Sequence, residues 1–157
     1  MLIFLSILIV FGVGAYIGYK RIKPMMGSKN LIKRDGAFWE DGEIFYTSAA
    51  YEDVLDSLER ADLSECRTEM QPNAGGKTII LFQSQDSWTA ALKYFGFHED
   101  EHQFEFQFTS WNTRRLGTSV YSMNILLTIV EKIFLSLDPD TEAEIHILDT
   151  ETVTRFL

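Results

Sequence analysis

The chain has 157 residues, room for one ordinary domain of roughly 100–150 residues plus an appendage. It is acidic, with 23 Asp and Glu against 14 Lys and Arg and a formal net charge of −9. That balance argues against nucleic-acid binding, which needs clustered cations to displace counterions from phosphates, and the single cysteine, Cys66, excludes an intramolecular disulfide.

Met1 to Tyr19 contains no charged side chain. At about 1.5 Å per helical residue this run approaches the roughly 30 Å hydrocarbon thickness of a bilayer, so residues 1–19 are expected to form a single transmembrane anchor. A cleaved signal peptide is the rival reading, with Gly12-Val13-Gly14 as its processing site. Against it, the usual basic n-region is missing and the apolar run is longer than a signal core. Within the anchor, Gly14 and Gly18 form a G-x-x-x-G, whose missing side chains let two helices approach closely; pairing of two copies through this face is the minority reading, since glycine is common in membrane helices.

Lys20, Arg21, Lys23, Lys29, Lys33 and Arg34 follow before any acid appears. From Asp35 onward 8 basic residues stand against 23 acidic ones, a formal balance of −15. Cations stay on the cytoplasmic side of a span, which places the protein in the cell membrane, single-pass, with its N-terminus outside and its acidic domain in the cytoplasm. Lys20, Arg21 and Lys23 are the membrane-surface residues, each worth up to about 1 kcal/mol near anionic headgroups. Pro24, Gly27, Ser28, Asn30 and Gly36 mark residues 20–37 as a basic juxtamembrane linker. Cys66 suits a reducing compartment and reads as a half-buried structural thiol.

Residues 38–157 are expected to form one acidic α+β domain. Gly42 to Ser48 has the aromatic and β-branched content of a strand, and Ser48 to Asp62 then switches to helical spacing. Tyr51, Val54, Leu55 and Leu58 form the apolar face of that helix, with Ser48 as N-cap. Ser64 to Gln71 reads as a polar edge strand, and Lys77 to Gln83 as a strand rich in branched residues. Ser87 to His98 fits two periods: Trp88, Ala91, Leu92 and Phe95 suit a helix, whereas Trp88, Ala90, Leu92 and Tyr94 alternate as in a strand. The strand is favoured because Gln103 to Phe108 alternates strictly and would complete a hairpin with it.

Leu116 to Leu137 is the longest apolar stretch after the anchor. A second membrane span is one reading, but Glu131 and Lys132 fall within its C-terminal half, and charge is expensive in lipid. A buried helix lying across a sheet is the better expectation, ended by Asp138-Pro139. Glu142 to Leu148 makes a last strand, and Thr150 to Leu157 a short terminal helix. The order β-α-β-β-β-β-α-β implies a mainly antiparallel sheet with one long and one or two shorter helices packed on one face.

Several motifs invite chemistry. His98-Glu99-Asp100-Glu101-His102 satisfies H-E-x-x-H, which on a helix sets two imidazoles on one face to hold zinc, with the glutamate as general base. Over these five residues the chain resembles the zincin metalloproteases, and the resemblance implies zinc on His98 and His102 with water activated by Glu99. The alternating flanks and the three consecutive acids instead suit an exposed hairpin turn. Asn73 to Thr78 shares the G-K-T ending of a phosphate-binding loop, but the first glycine is replaced by Gln71 and a strand follows where a helix N-terminus is needed. His146, on the last strand, reads as an ordinary sheet residue. Phe104, Phe106 and Phe108 line one strand face, with Trp88, Tyr94 and Trp111 near in sequence; this face is either core or the wall of a cavity for an apolar, lipid-like ligand.

With no convergent catalytic set and no cofactor motif, the leading expectation is a membrane-anchored, non-enzymatic interaction module that contacts a basic protein partner. The alternatives are apolar-ligand binding by the aromatic sheet face and zinc hydrolysis at His98, Glu99 and His102.

Overall fold

The computed structural model describes Ile32, Arg34 and residues 36–74, 78–86, 88–112 and 116–147, with side chains in the last range described from 119 to 145. Apart from Ile32, these lie in a compact unit that begins at Arg34. The expected anchor 1–19 with Gly14 and Gly18, the cations Lys20, Arg21 and Lys23, and the expected terminal helix 150–157 lie outside the described residues.

A one-turn 3-10 helix, Phe38–Glu40, leads into strand β1, Asp41–Thr47, and helix α1 follows at Tyr51–Arg60. After a second 3-10 turn, Ser64–Cys66, come β2 at Thr68–Gln71, β3 at Ile79–Ser84, β4 at Trp88–His98 and β5 at Glu101–Trp111. Helix α2, Leu116–Leu137, and strand β6, Glu142–Ile147, follow. The domain is α+β, and its element order is the one expected from the sequence. Residues 88–98 are strand, not helix.

Six strands form one sheet in the order β2-β3-β4-β5-β1-β6, every neighbouring pair antiparallel. The chain starts near one edge in β1, crosses through α1 to the far edge at β2, and meanders back until β5 lies beside β1. Helix α2 then carries it over β1 to the other edge, β6. Both helices cover the same face. Tyr51 of α1 stacks on Tyr94 of β4, and Phe134 of α2 stacks on Phe45 of β1 with ring centroids 4.3 Å apart and touches Phe104 of β5 edge-on.

The core follows from the two periods. Phe45, Ile80, Phe82, Ala90, Leu92, Phe104, Phe106 and Phe108 point to the helices, and Val54, Leu58, Met123, Leu126, Val130 and Phe134 meet them. Full burial of such side chains contributes about 1.5–3 kcal/mol each. By length and composition alone Ser119–Leu137 is apolar enough to cross a membrane, with mean hydropathy 1.5, but half of that window is buried within the domain. The opposite sheet face carries Lys93 and Glu105, paired at 3.2 Å, and the exposed Gln83, as an antiparallel sheet with one wet side permits.

Two local expectations need correction. Helix α1 is capped by Ala50, whose side chain makes no capping bond, and not by Ser48. The Ser48 amide instead donates to Asp138 Oδ2 at 2.7 Å, just past the end of α2, so a long-range contact removes the serine from the helix terminus. Cys66 is fully rather than half buried, and burial pushes its thiol pKa up, which disfavours the thiolate form.

Candidate functional site

Two places in the domain carry chemistry that packing alone does not require: the tip of the β4–β5 hairpin and a buried charged cluster beneath α2.

His98 and Glu101 pair across the hairpin, leaving Glu99 and Asp100 as a two-residue turn. Both turn residues have positive φ, 50° and 74°, the geometry a tight hairpin imposes and that Asn-Gly would adopt at lower cost. The H-E-x-x-H motif therefore lies on a strand, a turn and a strand, and the zincin arrangement, which needs a helix, is not formed. The His102 ring is engaged otherwise, with Nδ1 2.7 Å from the Tyr94 hydroxyl and the ring 4.8 Å from that of Phe97. Among the described residues no group of three His, Cys, Asp or Glu side chains is placed to hold a metal ion.

A bulge between Tyr94 and Gly96 shapes this tip. Phe95 is the extra residue, and Gly96 takes φ +109°, a conformation that side-chain-bearing residues avoid. Phe95, in the bulge, is 51% exposed and Phe97, just past it, 56%, beside the exposed Glu99, Asp100 and Glu101. The tip thus presents two uncovered aromatic rings next to three acids.

The aromatic face formed by Phe104, Phe106 and Phe108 lies in the core. Phe104 meets Phe134, Phe106 meets Phe82, and Phe108 packs against Trp88 and Phe38. Trp88 is itself buried, donating from Nε1 to Ser122 Oγ at 2.8 Å, while Tyr94 and Trp111 are half-buried.

The buried cluster joins three parts of the chain. Arg34, only 9% exposed in its side chain, precedes the first 3-10 turn. Its Nε donates to Asn124 Oδ1 at 2.9 Å, Nη1 to Glu43 Oε1 at 3.3 Å, and Nη2 to Glu131 Oε2. The guanidinium also lies over the Phe38 ring, 5.6 Å from its centroid. Glu43 belongs to the inward series 43, 45 and 47 of β1, whereas Asn124, Thr128 and Glu131 stand at i, i+4 and i+7 on one face of α2. Two carboxyls thus share one guanidinium. Burial first, then the charge of Glu131, pushes the Glu43 pKa up to about 7 despite the opposing pull of Arg34. Glu43 Oε2 and Trp39 Nε1 are buried without a hydrogen-bond partner among the described residues.

The sequence pointed to an exposed turn at 98–102 but not to its exposed aromatic rings, and it did not assign the buried cluster. Arg34 was counted with the linker cations, yet it belongs to the fold. The signal available was periodic: Glu43 keeps step with Phe45, and Glu131 lies two helical turns beyond Asn124. Comparison with protein families, with curated proteins and with solved structures returns no match.

Proposed function

We propose that the chain is a membrane-anchored, non-enzymatic interaction module that holds an acidic domain at the cytoplasmic face of the cell membrane and binds a basic protein partner through the β4–β5 tip. In this reading residues 1–19 span the bilayer, Lys20, Arg21 and Lys23 lie at its surface, and Gly14 and Gly18 pair two copies. The observation that carries it is the exposure of Phe95 and Phe97 beside Glu99, Asp100 and Glu101. Aromatic side chains anchor interfaces, and acids around them select and steer a cationic partner. The formal −15 beyond residue 34 extends the same field.

The test is retention of a partner on the immobilised full-length chain in mild detergent across a salt series. Retention that weakens with salt and is lost in a Phe95→Ser/Phe97→Ser variant supports the reading. Retention indifferent to salt, or unchanged in that variant, overturns it.

A further inference from the structure

The charged cluster beneath α2 has a composition that a purely structural ion pair does not need. One guanidinium faces two carboxyls, so with both ionised the buried group carries net negative charge. Glu43 and Glu131 are both held by the one guanidinium, and two ionised carboxylates, each only an acceptor, cannot hydrogen-bond to one another. One Glu43 oxygen, Oε2, also has no donor aimed at it among the described residues. A single proton answers both deficits, turning one acceptor into a donor and making the cluster neutral.

We propose that Glu43, Glu131 and Arg34 form a buried proton-binding site, and that its proton latches β1 to α2, opening being the parting of these two elements that lets water reach Glu43. Closing the latch takes up one proton onto the Glu43 carboxyl, and opening returns it to water; no bond other than that O–H forms or breaks. Among the described residues the groups facing Glu43 are few. Arg34 opposes protonation, Glu131 and, on its own strand, Asp41 favour it, and the cross-strand neighbours Phe106 and Ile145 are uncharged. The site lies away from the hairpin tip and does not depend on what the tip binds.

The sign follows from linkage. A carboxyl near its ordinary value of 4.5 when open and at about 7 when closed holds its proton more tightly closed, so opening becomes easier as pH rises from 4.5 through 7 and is constant outside that window. Between about pH 5.5 and about pH 8 the opening constant should rise about thirty-fold.

Amide hydrogen exchange of the full-length chain in non-ionic micelles, read by mass spectrometry over peptides covering 36–43 and 124–131 and corrected for base catalysis, measures this constant. The expected result is that rise in the wild-type protein and a flat profile in Glu43→Gln, which is neutral and carries its own donor. Equal pH profiles for the two proteins, or a flat wild-type profile, overturn the proposal. Should Glu43→Gln fail to fold, carbon-13 carboxyl NMR of the wild-type protein decides. A buried glutamate resonance titrating near neutrality supports the site, and its absence overturns it.

Discussion

Replacing Arg34 by Met isolates the cluster's contribution to stability. The substitution keeps an apolar stem over Phe38 but removes the donors to Asn124, Glu43 and Glu131. Two carboxyls are then buried together without the guanidinium that joined them. Removing one partner from a buried charged pair costs about 3–5 kcal/mol, a large share of the roughly 5–15 kcal/mol that stabilises a domain. With a urea slope of about 1–3 kcal/mol per molar, the unfolding midpoint should fall by more than about 1 M. The assay is urea unfolding of the full-length chain in a urea-tolerant detergent, followed by fluorescence of Trp39 and the buried Trp88. Arg60→Met, which breaks the exposed i,i+4 pair with Asp56, is the control and should cost at most about 0.5 kcal/mol. The deficit should also grow with pH. Arg34 holds the Glu43 pKa down, so its loss raises that pKa further above the unfolded value, and the variant loses stability more steeply as pH rises. A loss no larger than that of Arg60→Met, or a deficit that ignores pH, would refute the reasoning.

Three further outcomes follow from local geometry. Ala50 already has the extended backbone of an N-cap, φ −70° and ψ 157°, so Ala50→Ser should add about 0.5–1 kcal/mol in the same urea assay. Substituting Asn-Gly for Glu99-Asp100 relieves two positive-φ positions, so it should stabilise the hairpin while weakening retention of a basic partner, separating stability from binding in paired melting and retention measurements. Gly14→Ile with Gly18→Ile should lower the signal of a membrane helix-association reporter, and an unchanged signal would dismiss pairing through that face.

The fold was legible where one period dominates. The strict alternation of Gln103 to Phe108 fixed the inward face of β5, and that in turn decided the neighbouring segment 88–98 in favour of strand. The 22-residue helix α2 matches the expected apolar stretch end to end because Asp138-Pro139 stops it. Turn geometry was legible too, since three consecutive acids suit no buried helix. What escaped were contacts between residues far apart in sequence. Ser48 has the chemistry of a cap, and only Asp138, 90 residues on, reveals that its amide is taken. Arg34 sits among cations that share its charge but not its surroundings, and its bond to Asn124 likewise spans 90 residues. A local reading assigns charge to the surface by default; a long-range partner is what draws it inside. The bulge at Phe95 was hidden for a related reason, because an extra residue in a strand shows itself only in the register with its neighbour.

The reading of this protein as a tethered interaction module rests on the hairpin tip, and site-specific photocrosslinking tests it most directly. A photoreactive residue placed at Phe97 of the full-length chain in cells should give a discrete adduct with a basic protein. The same residue at Leu135, equally exposed on α2, should not. Adducts that form alike at both positions, or at Leu135 alone, would contradict the account.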